Sequence, residues 1–495
     1  MEERKNNRVI ESLQDKIMGA KEAAKFIKSD MILGFSGFTL TGDPKTVPQY
    51  IDADNLTLIT SASVGDLAEG ILCRKGSIAR RYPYQSNLNM RKEVNLGEVA
   101  YADFHLSNMP AFIERENKPC IDYAIIECTK ITENGIVPTT SVGITPTLVK
   151  YSKNIILEVN TLVPEEMEQM MDIFNVGVAP HAKIIPIESP MDRIGKTYIP
   201  FDKRKVKAIV MTHEKGTYPK FIQVDDDSKK IAQHIVEFLK EEIEAGRQPV
   251  NLLPIQSGVG AIANAVLSGL KKMNLKGLHM YTETMQDSAF ELLESGCISG
   301  ISTCALCLSE EKQKKLFQNI DTYKDKIILR PQNVTNSPEV VRRLGIIAMN
   351  TPVEFDIYGN VNSTHALGTK IINGIGGSGD FTRNAGLSIF ATKSEAKEGN
   401  ISRVVPMVSH CDHSEHDTQI FVTEWGLADL RWKSPKERVN LIIEKCAHPD
   451  YREALRDYYK KAVEVSGSTQ TPQDLEHAFA LYLNYQKEGS MLHNM

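Results

Sequence analysis

The chain has 495 residues, 41% of them hydrophobic and 24% charged, and a formal net charge of −5. That length supports two or three domains with a sizeable core, and so ordinary a composition excludes a disordered or low-complexity polymer. The acidic balance argues against a nucleic-acid binder, which shows a basic excess, and no run of about eighteen apolar residues is present to span a membrane.

The charged N-terminal stretch MEERKNNRVIESLQDKIM lacks the apolar region of a secretory signal, and the eight cysteines have no framework spacing. Both features fit a cytoplasmic protein with reduced thiols. From there the pattern alternates. MILGFSG, LTLITSAS, YAIIECT, NIILEVN, KIIPIE and KAIVMTH read as strands, and KIMGAKEAAKFIKS has helical spacing. Near-continuous apolar strands suit a parallel sheet buried on both faces, so the rhythm is βαβ. At residue 216 the pattern pauses in a polar, turn-rich stretch. The amphipathic helix KKIAQHIVEFLKEEIEAG follows, with Ile231, Ile235, Phe238 and Leu239 on one face and Gly246 as its stop. This places a boundary between an N-terminal α/β domain, 1–218, and a C-terminal α/β domain, 219–495.

The second part repeats the alternation. VNLLPIQ, LHMYTE, GISTCALCL, KIILRPQ, LGIIAMN, VEFDIYG, SRVVPMVS and QIFVTEW read as strands, with helices at GAIANAVLSGLKKMN and DSAFELLESG. In YTETMQDSAFELLESG, Ser288 and Glu291 have capping-box spacing, so Glu283 stands where a strand ends and a helix is about to begin. Cys304 and Cys307 form a C-x-x-C. Without a second ligand pair, two buried free thiols are the better reading than zinc or redox chemistry.

Glycine-rich turns gather in this half. In QSGVGAIANAV, Gly258 and Gly260 lie between a strand and a helix; the stretch resembles a dinucleotide loop but has Ala263 at the third glycine position. In INGIGGSGDFTRNAG, Gly374, Gly376, Gly377 and Gly379 fall within six residues, a density that suits backbone amides facing a ligand oxygen. SHCDHSEHD carries His410, Cys411, Asp412, His413, His416 and Asp417, yet no second fixed-spacing cluster supports a metal site. Each has a plainer reading: a tight turn, a mobile hairpin, loop hydrogen bonding. No serine-hydrolase elbow and no P-loop is present. What the pieces permit together is a carboxylate nucleophile at a strand end, with glycine amides holding the oxyanion formed as it attacks an electrophilic carbonyl such as a thioester.

Several long motifs in order then carry a resemblance over nearly the whole chain: GFSGFTLTGDPKTVP, YPYQSNLNMRKEVNLGEV, DFHLS, LPIQSGVGAIANAV, YTETMQDS, LRPQNVTNSPEVVRRLG, EFDIYGNVNSTH, NGIGGSGDFTRNA, HSEHD and TEWGLADLR. The chain resembles the acetyl-CoA hydrolase/transferase family, the class I CoA-transferases. The resemblance implies two CoA-transferase-type α/β domains with mainly parallel sheets and an active site at their interface. It implies that Glu283, in the C-terminal domain, attacks an acyl-CoA and passes through a glutamyl-CoA thioester. It further implies that Val259 and Gly377 offer N–H groups to the oxyanion, that Asn336 holds the reacting carboxylates, and that Glu424 tunes Glu283 or orders a loop. Gly258, Val259, Gly260, Ala261, Ile262, Asn373, Gly377 and Lys397 match CoA contacts. The implied partners are acyl-CoA and short-chain carboxylates, acetate and succinate before propionate or butyrate. No metal and no permanently bound cofactor is implied, coenzyme A being the substrate, and a homodimer is expected. Where many members have Gln and Gly, this chain has Trp425 and Trp432, residues that narrow the acyl pocket or pack nearby. The main alternative is an acetyl-CoA hydrolase using the same glutamate. A CoA-binding module without turnover and a nicotinamide oxidoreductase stand further off.

Overall fold

Tyr123–Ile131, YAIIECTKI, is buried along nearly its whole length, as its apolar run demands, and it anchors the first sheet. The computed structural model describes residues 7–116, 120–219 and 223–492. The sheet runs in the order Ala100–Tyr101, Ile78–Tyr82, Leu56–Ile59, Ile32–Phe35, Tyr123–Ile131, Asn154–Asn160, Val206–Thr212. These neighbours pair in parallel; Ile136–Pro138 returns antiparallel against Tyr123–Ile131. Leu33, Phe35, Leu56, Leu58, Ile125 and Ile156 fill one face with the short helices on either side.

Two compact units are present. One comprises Met1–Phe221, His279–Glu294 and Ile298–Leu344; the other comprises Ile222–Leu278, Ser295–Cys297 and Gly345–Met495. Glu283 and the segment that follows it fall in the first of these units. The reason is long-range backbone pairing. Leu306 N donates to Thr140 O at 2.9 Å, Val142 N to Cys304 O at 3.0 Å, Asp172 N to Leu329 O at 2.9 Å and Gln332 N to Gly143 O at 3.1 Å. A fully buried Arg330–Asp172 ion pair joins the same segments, and Arg330 Nε also donates to Ser302 Oγ at 2.6 Å. Periodicity reports on one element at a time and carries no trace of such pairings.

The GDPKTVP turn packs four charged side chains out of water. Lys45 is paired with Glu127, which also accepts from Asn160 Nδ2 at 2.9 Å and Thr139 Oγ1 at 2.8 Å. Glu158 accepts the N–H groups of Lys45 and Val47 at 2.7 Å and of Thr46 at 3.1 Å. Asp43, 1% exposed, has no hydrogen-bond partner for either oxygen among the described residues, and burial pushes its carboxyl up to about 6.

In the second unit the parallel strands Ile255–Ser257, Ile347–Asn350, Leu387–Ala391 and Ile420–Thr423 lie side by side, and Gly426–Asp429 closes the edge antiparallel. The helix Asp226–Glu244 begins where Asp225 accepts from Ser228 N at 2.9 Å and stops at Gly246, whose φ is 72°. Ile231, Ile235, Phe238 and Leu239 are all buried, each contributing about 1.5–3 kcal/mol. Phe355, Phe390 and Phe421 form the centre of a core shared with the helices Pro435–Cys446 and Pro449–Ser466.

Two local expectations fail. KIIPIE is not a strand. Ile185 and Ile187 are buried, but their backbone groups are taken by side chains of the helix Pro338–Leu344: Ile185 N donates to Glu339 at 2.9 Å, and Arg343 donates to the carbonyls of Ile185 and Ile187 at 2.6 and 2.9 Å. An alternating apolar stretch can thus serve as a buried loop once side chains satisfy its polar atoms. The helix after Glu283 spans Asp287–Glu294, so Ser288 lies inside its first turn and is not the cap.

Candidate active site

Glu283 sits in a bend between the strand Leu278–Tyr281 and the two-residue strand Thr284–Met285, half-buried. Its backbone is clamped. The Glu283 carbonyl accepts from Cys304 N at 3.0 Å and from Thr303 Oγ1 at 3.0 Å, and Thr284–Met285 pairs in parallel with Ala305–Leu306. Just before it, the fully buried Tyr281 donates its hydroxyl to Val334 O at 2.7 Å, tying this strand to the short helix Gln332–Thr335.

That helix ends at Asn336, which is 0% exposed. Thr335 Oγ1 donates to Asn336 Oδ1 at 2.8 Å, which fixes the orientation of the amide and leaves its NH2 group to face the other way. Asn336 Nδ2 then donates to Glu283 Oε1 at 2.6 Å. Gln332 Nε2 anchors the same helix to Leu106 O at 2.6 Å. The carboxylate is therefore presented at the end of a strand, oriented by a fixed donor and only partly desolvated.

The surroundings are apolar. Phe38, Ala62, Leu106, Cys304 and Ala305 cluster with Tyr84 against them. Burial pushes the Tyr84 phenol up, and the nearby Glu283 carboxylate adds to that. The same pair of causes raises the Cys304 thiol, whose sulfur accepts from Gly143 N at 3.2 Å. Cys304 and Cys307 are both buried and free, so this C-x-x-C is structural.

The second unit collects the other motifs along the carboxyl edge of its parallel strands, where ligands of open α/β sheets bind. Gly258 follows Ser257, and its N–H donates to Met349 O at 3.0 Å; Thr392 N donates to Val422 O at 3.1 Å; Glu424 follows Thr423. Gly260 has φ 120°, a conformation open to glycine, and it turns the chain into the helix Ala261–Leu270, with Ala261 and Ile262 in the first turn. Val259 projects at the tip, 57% exposed. Gly377 is buried and precedes the short helix Ser378–Thr382. Neither the Val259 N–H nor the Gly377 N–H makes a hydrogen bond among the described residues.

Asn373 spends its NH2 group on the carbonyls of Ser363 and Gly374, both at 2.9 Å, and so shapes the glycine loop. Lys397, exposed and with φ 51°, rests its ammonium on Tyr485, 2.9 Å from the hydroxyl. Glu424 binds the backbone N–H of Ser394 at 2.8 Å and the Ser394 hydroxyl, which also accepts from Trp425 Nε1 at 3.1 Å. Trp425 packs edge-on to His448 at 5.4 Å, whereas Trp432 is fully exposed. In SHCDHSEHD, the buried His413 meets Ser378 Oγ at 3.1 Å and the Phe390 ring at 5.0 Å. Asp412 accepts from Ser363 N at 2.7 Å and Thr364 Oγ1 at 2.9 Å, so the segment braces the glycine loop.

The structure thus joins Glu283 directly to Asn336 and lines up Gly258, Val259, Gly260 and Glu424 on one sheet edge. The sequence reading missed Tyr84, Thr303, Thr335 and Ser394. Tyr84 and Thr335 lay inside quoted motifs and Thr303 inside a quoted strand; Ser394, a common hydroxyl residue in an ordinary position, gave no signal.

Comparison with known proteins follows this geometry. Residues 1–211 match the acetyl-CoA hydrolase/transferase N-terminal domain, and residues 313–459 match the C-terminal domain. The chain is 45% identical over 488 residues to a succinyl-CoA:acetate CoA-transferase of Clostridium kluyveri, covering 97% of this chain and 90% of that one. It is 41% identical over 501 residues to an acetyl-CoA hydrolase of Candida albicans, covering 96% and 95%. Among solved structures, RipA from Yersinia pestis shares the fold, with a TM-score of 0.70 at 21% identity over 90% of this chain and 97% of that one.

Proposed function

The chain belongs to the acetyl-CoA hydrolase/transferase family, and from that premise we propose that it is an acyl-CoA:carboxylate CoA-transferase with Glu283 as its nucleophile. One Glu283 oxygen attacks the thioester carbonyl. The carbonyl π electrons move to its oxygen and return as the C–S bond breaks, giving an acyl-glutamyl anhydride and CoA thiolate. The thiolate then attacks the glutamyl carbonyl, the acyl carboxylate leaves, and a glutamyl-CoA thioester remains. A second carboxylate reverses both steps. One thioester replaces another, so no nucleotide hydrolysis is required.

The observation that carries this reading is the Asn336 amide, oriented by Thr335 and donating to Glu283 Oε1 at 2.6 Å. It fixes the direction of the carboxylate, which is what proximity catalysis needs. Val259 and Gly377, with N–H groups unpaired among the described residues, are the proposed oxyanion donors. The contacts of Glu424 to Ser394 support a loop-ordering role for that residue. Gly258, Gly260, Ala261, Ile262, Asn373 and Lys397 are the proposed CoA contacts. Acetate and succinate are the proposed acceptors, on the strength of the Clostridium relative. Eight free cysteines suit a reducing compartment.

The hydrolase reading keeps the same first steps and lets water resolve the glutamyl thioester; the Candida relative favours it. Intact-protein mass spectrometry after mixing with acetyl-CoA tests both. A CoA-sized increase on Glu283, stable until acetate or succinate is added, supports the transferase. Rapid discharge without an acceptor supports the hydrolase. Absence of the adduct, with full acyl exchange by the Glu283→Ala variant, refutes the glutamate mechanism altogether.

A further inference from the structure

The first unit holds a cavity of about 720 Å³ that has no part in the reaction above. Four cations line it, Lys150, Lys183, Lys196 and Lys205, against two carboxylates, Glu114 and Asp202. Both carboxylates are already committed. Glu114 lies 3.1 Å from the Lys150 ammonium, and Asp202 is gripped by Arg204 through Nε and Nη2 at 2.8–3.1 Å. Lys183, Lys196 and Lys205 make no ion pair among the described residues. Lys205 is partly buried, and burial holds its ammonium below the usual lysine range. It donates to Lys150 O at 2.7 Å and has two further N–H bonds to give.

The rest of the lining mixes apolar residues with Thr147, Asn175 and Asn333. Phe174 and Phe201 contribute their rings, and Lys183 lies over the Phe174 ring at 6.0 Å. Lys196 lies over Tyr198 at 5.4 Å, so two of the ammonium groups are positioned by aromatic faces. Three uncompensated positive charges call for an anion carrying more than one charge. Two phenyl rings and several hundred cubic ångströms call for a planar body attached to it. Acetate satisfies neither demand, and succinate, although a dianion, lacks the planar body.

We propose that this cavity binds a nucleoside diphosphate, with phosphate oxygens among Lys183, Lys196 and Lys205 and the base against Phe174 and Phe201. Pro331 and Asn333 also line the cavity, and Asn336 terminates that same short helix. An occupant therefore touches the segment that holds Glu283, which gives the site a route to regulate turnover.

The test is calorimetric titration of the full-length protein with ADP, pyrophosphate and adenosine, each in the presence of saturating CoA so that the substrate's own nucleotide site is filled. ADP is expected to bind one per chain, at least about tenfold more tightly than either fragment. The Lys183→Ala/Lys196→Ala variant changes two exposed side chains. It is expected to weaken ADP about tenfold or more while leaving turnover without nucleotide unchanged. Binding of ADP that vanishes when CoA is present, equal affinity for pyrophosphate, indifference to the double variant, or no binding at millimolar ADP would each overturn the proposal.

Discussion

Replacing Asn336 by alanine removes a side chain that holds the Glu283 carboxylate. The bond is short, 2.6 Å, buried on the asparagine side and made to an ionised group. Hydrogen bonds of that kind contribute about 1.5–3 kcal/mol. At about 1.4 kcal/mol per factor of ten, the rate falls roughly 10- to 150-fold. The fold is spared most of the cost. Thr335 Oγ1 loses Asn336 Oδ1 as acceptor but keeps the Gln332 carbonyl at 3.4 Å, and the backbone bond from Asn336 N to Gln332 O at 2.9 Å does not depend on the side chain. The assay is steady-state acyl exchange between acetyl-CoA and succinate, read as kcat and kcat/KM, beside a thermal melt. Loss of orientation should appear in kcat, with the melting temperature lowered by a few degrees. Asn336→Asp should be worse than alanine toward the acid end of the profile, because two carboxylates at that spacing share a proton and the nucleophile is protonated there. An alanine variant within about threefold of the parent kcat, with the parent's pH profile, would show that the main-chain clamp alone positions Glu283 and that the reasoning is wrong.

Gly260→Ala meets no neighbour within 4 Å, yet φ is 120°, so the side chain costs about 1–3 kcal/mol through backbone strain alone; CoA affinity should fall without loss of folded protein, as read by equilibrium binding and circular dichroism. Asp43→Asn should stabilise the protein in a pH-dependent way. Folding raises this carboxyl from 3.8 to about 6, so the folded state binds the extra proton between those values, and stability drops as pH rises through that window. Above it the full cost of the buried charge, about 3 kcal/mol, is present, and asparagine removes it. Melts at pH 8 should show a clear gain and melts below pH 4 almost none; equal gains at both would sink the assignment. Trp432→Ala, at a fully exposed indole, should leave stability and kcat unchanged, whereas Trp425→Ala withdraws a donor from the Ser394 hydroxyl bound to Glu424 and should lower kcat several-fold.

Glu283 and both glycine loops could be singled out because each is an unusual residue choice in a local setting, a carboxylate after a strand or glycines crowded into a turn, whereas Asn336 came only from the family resemblance. The strand near each was also legible, since its apolar run is continuous. What was not legible depends on distant partners. Nothing near Thr140, Val142 or Asp172 announces that they pair with residues 304–329. KIIPIE misled because alternation reports burial, and Ile185 and Ile187 are indeed buried, but it says nothing of whether strands or side chains satisfy the backbone. Asp43 could not be identified as unpartnered from a turn sequence in which aspartate is commonplace.

The interleaved make-up of the first unit bears on how the protein is born. Its last segment ends at Leu344, more than a hundred residues beyond the end of its first at Phe221. At ordinary translation speed the ribosome needs on the order of 10 s to supply that remainder. During that interval Asp172 waits for Arg330, and the carbonyls of Thr140 and Gly143 wait for Leu306 and Gln332. A nascent chain paused or cleaved near residue 221 would expose the places those partners fill, which makes this stretch of synthesis the point at which chaperone protection matters most.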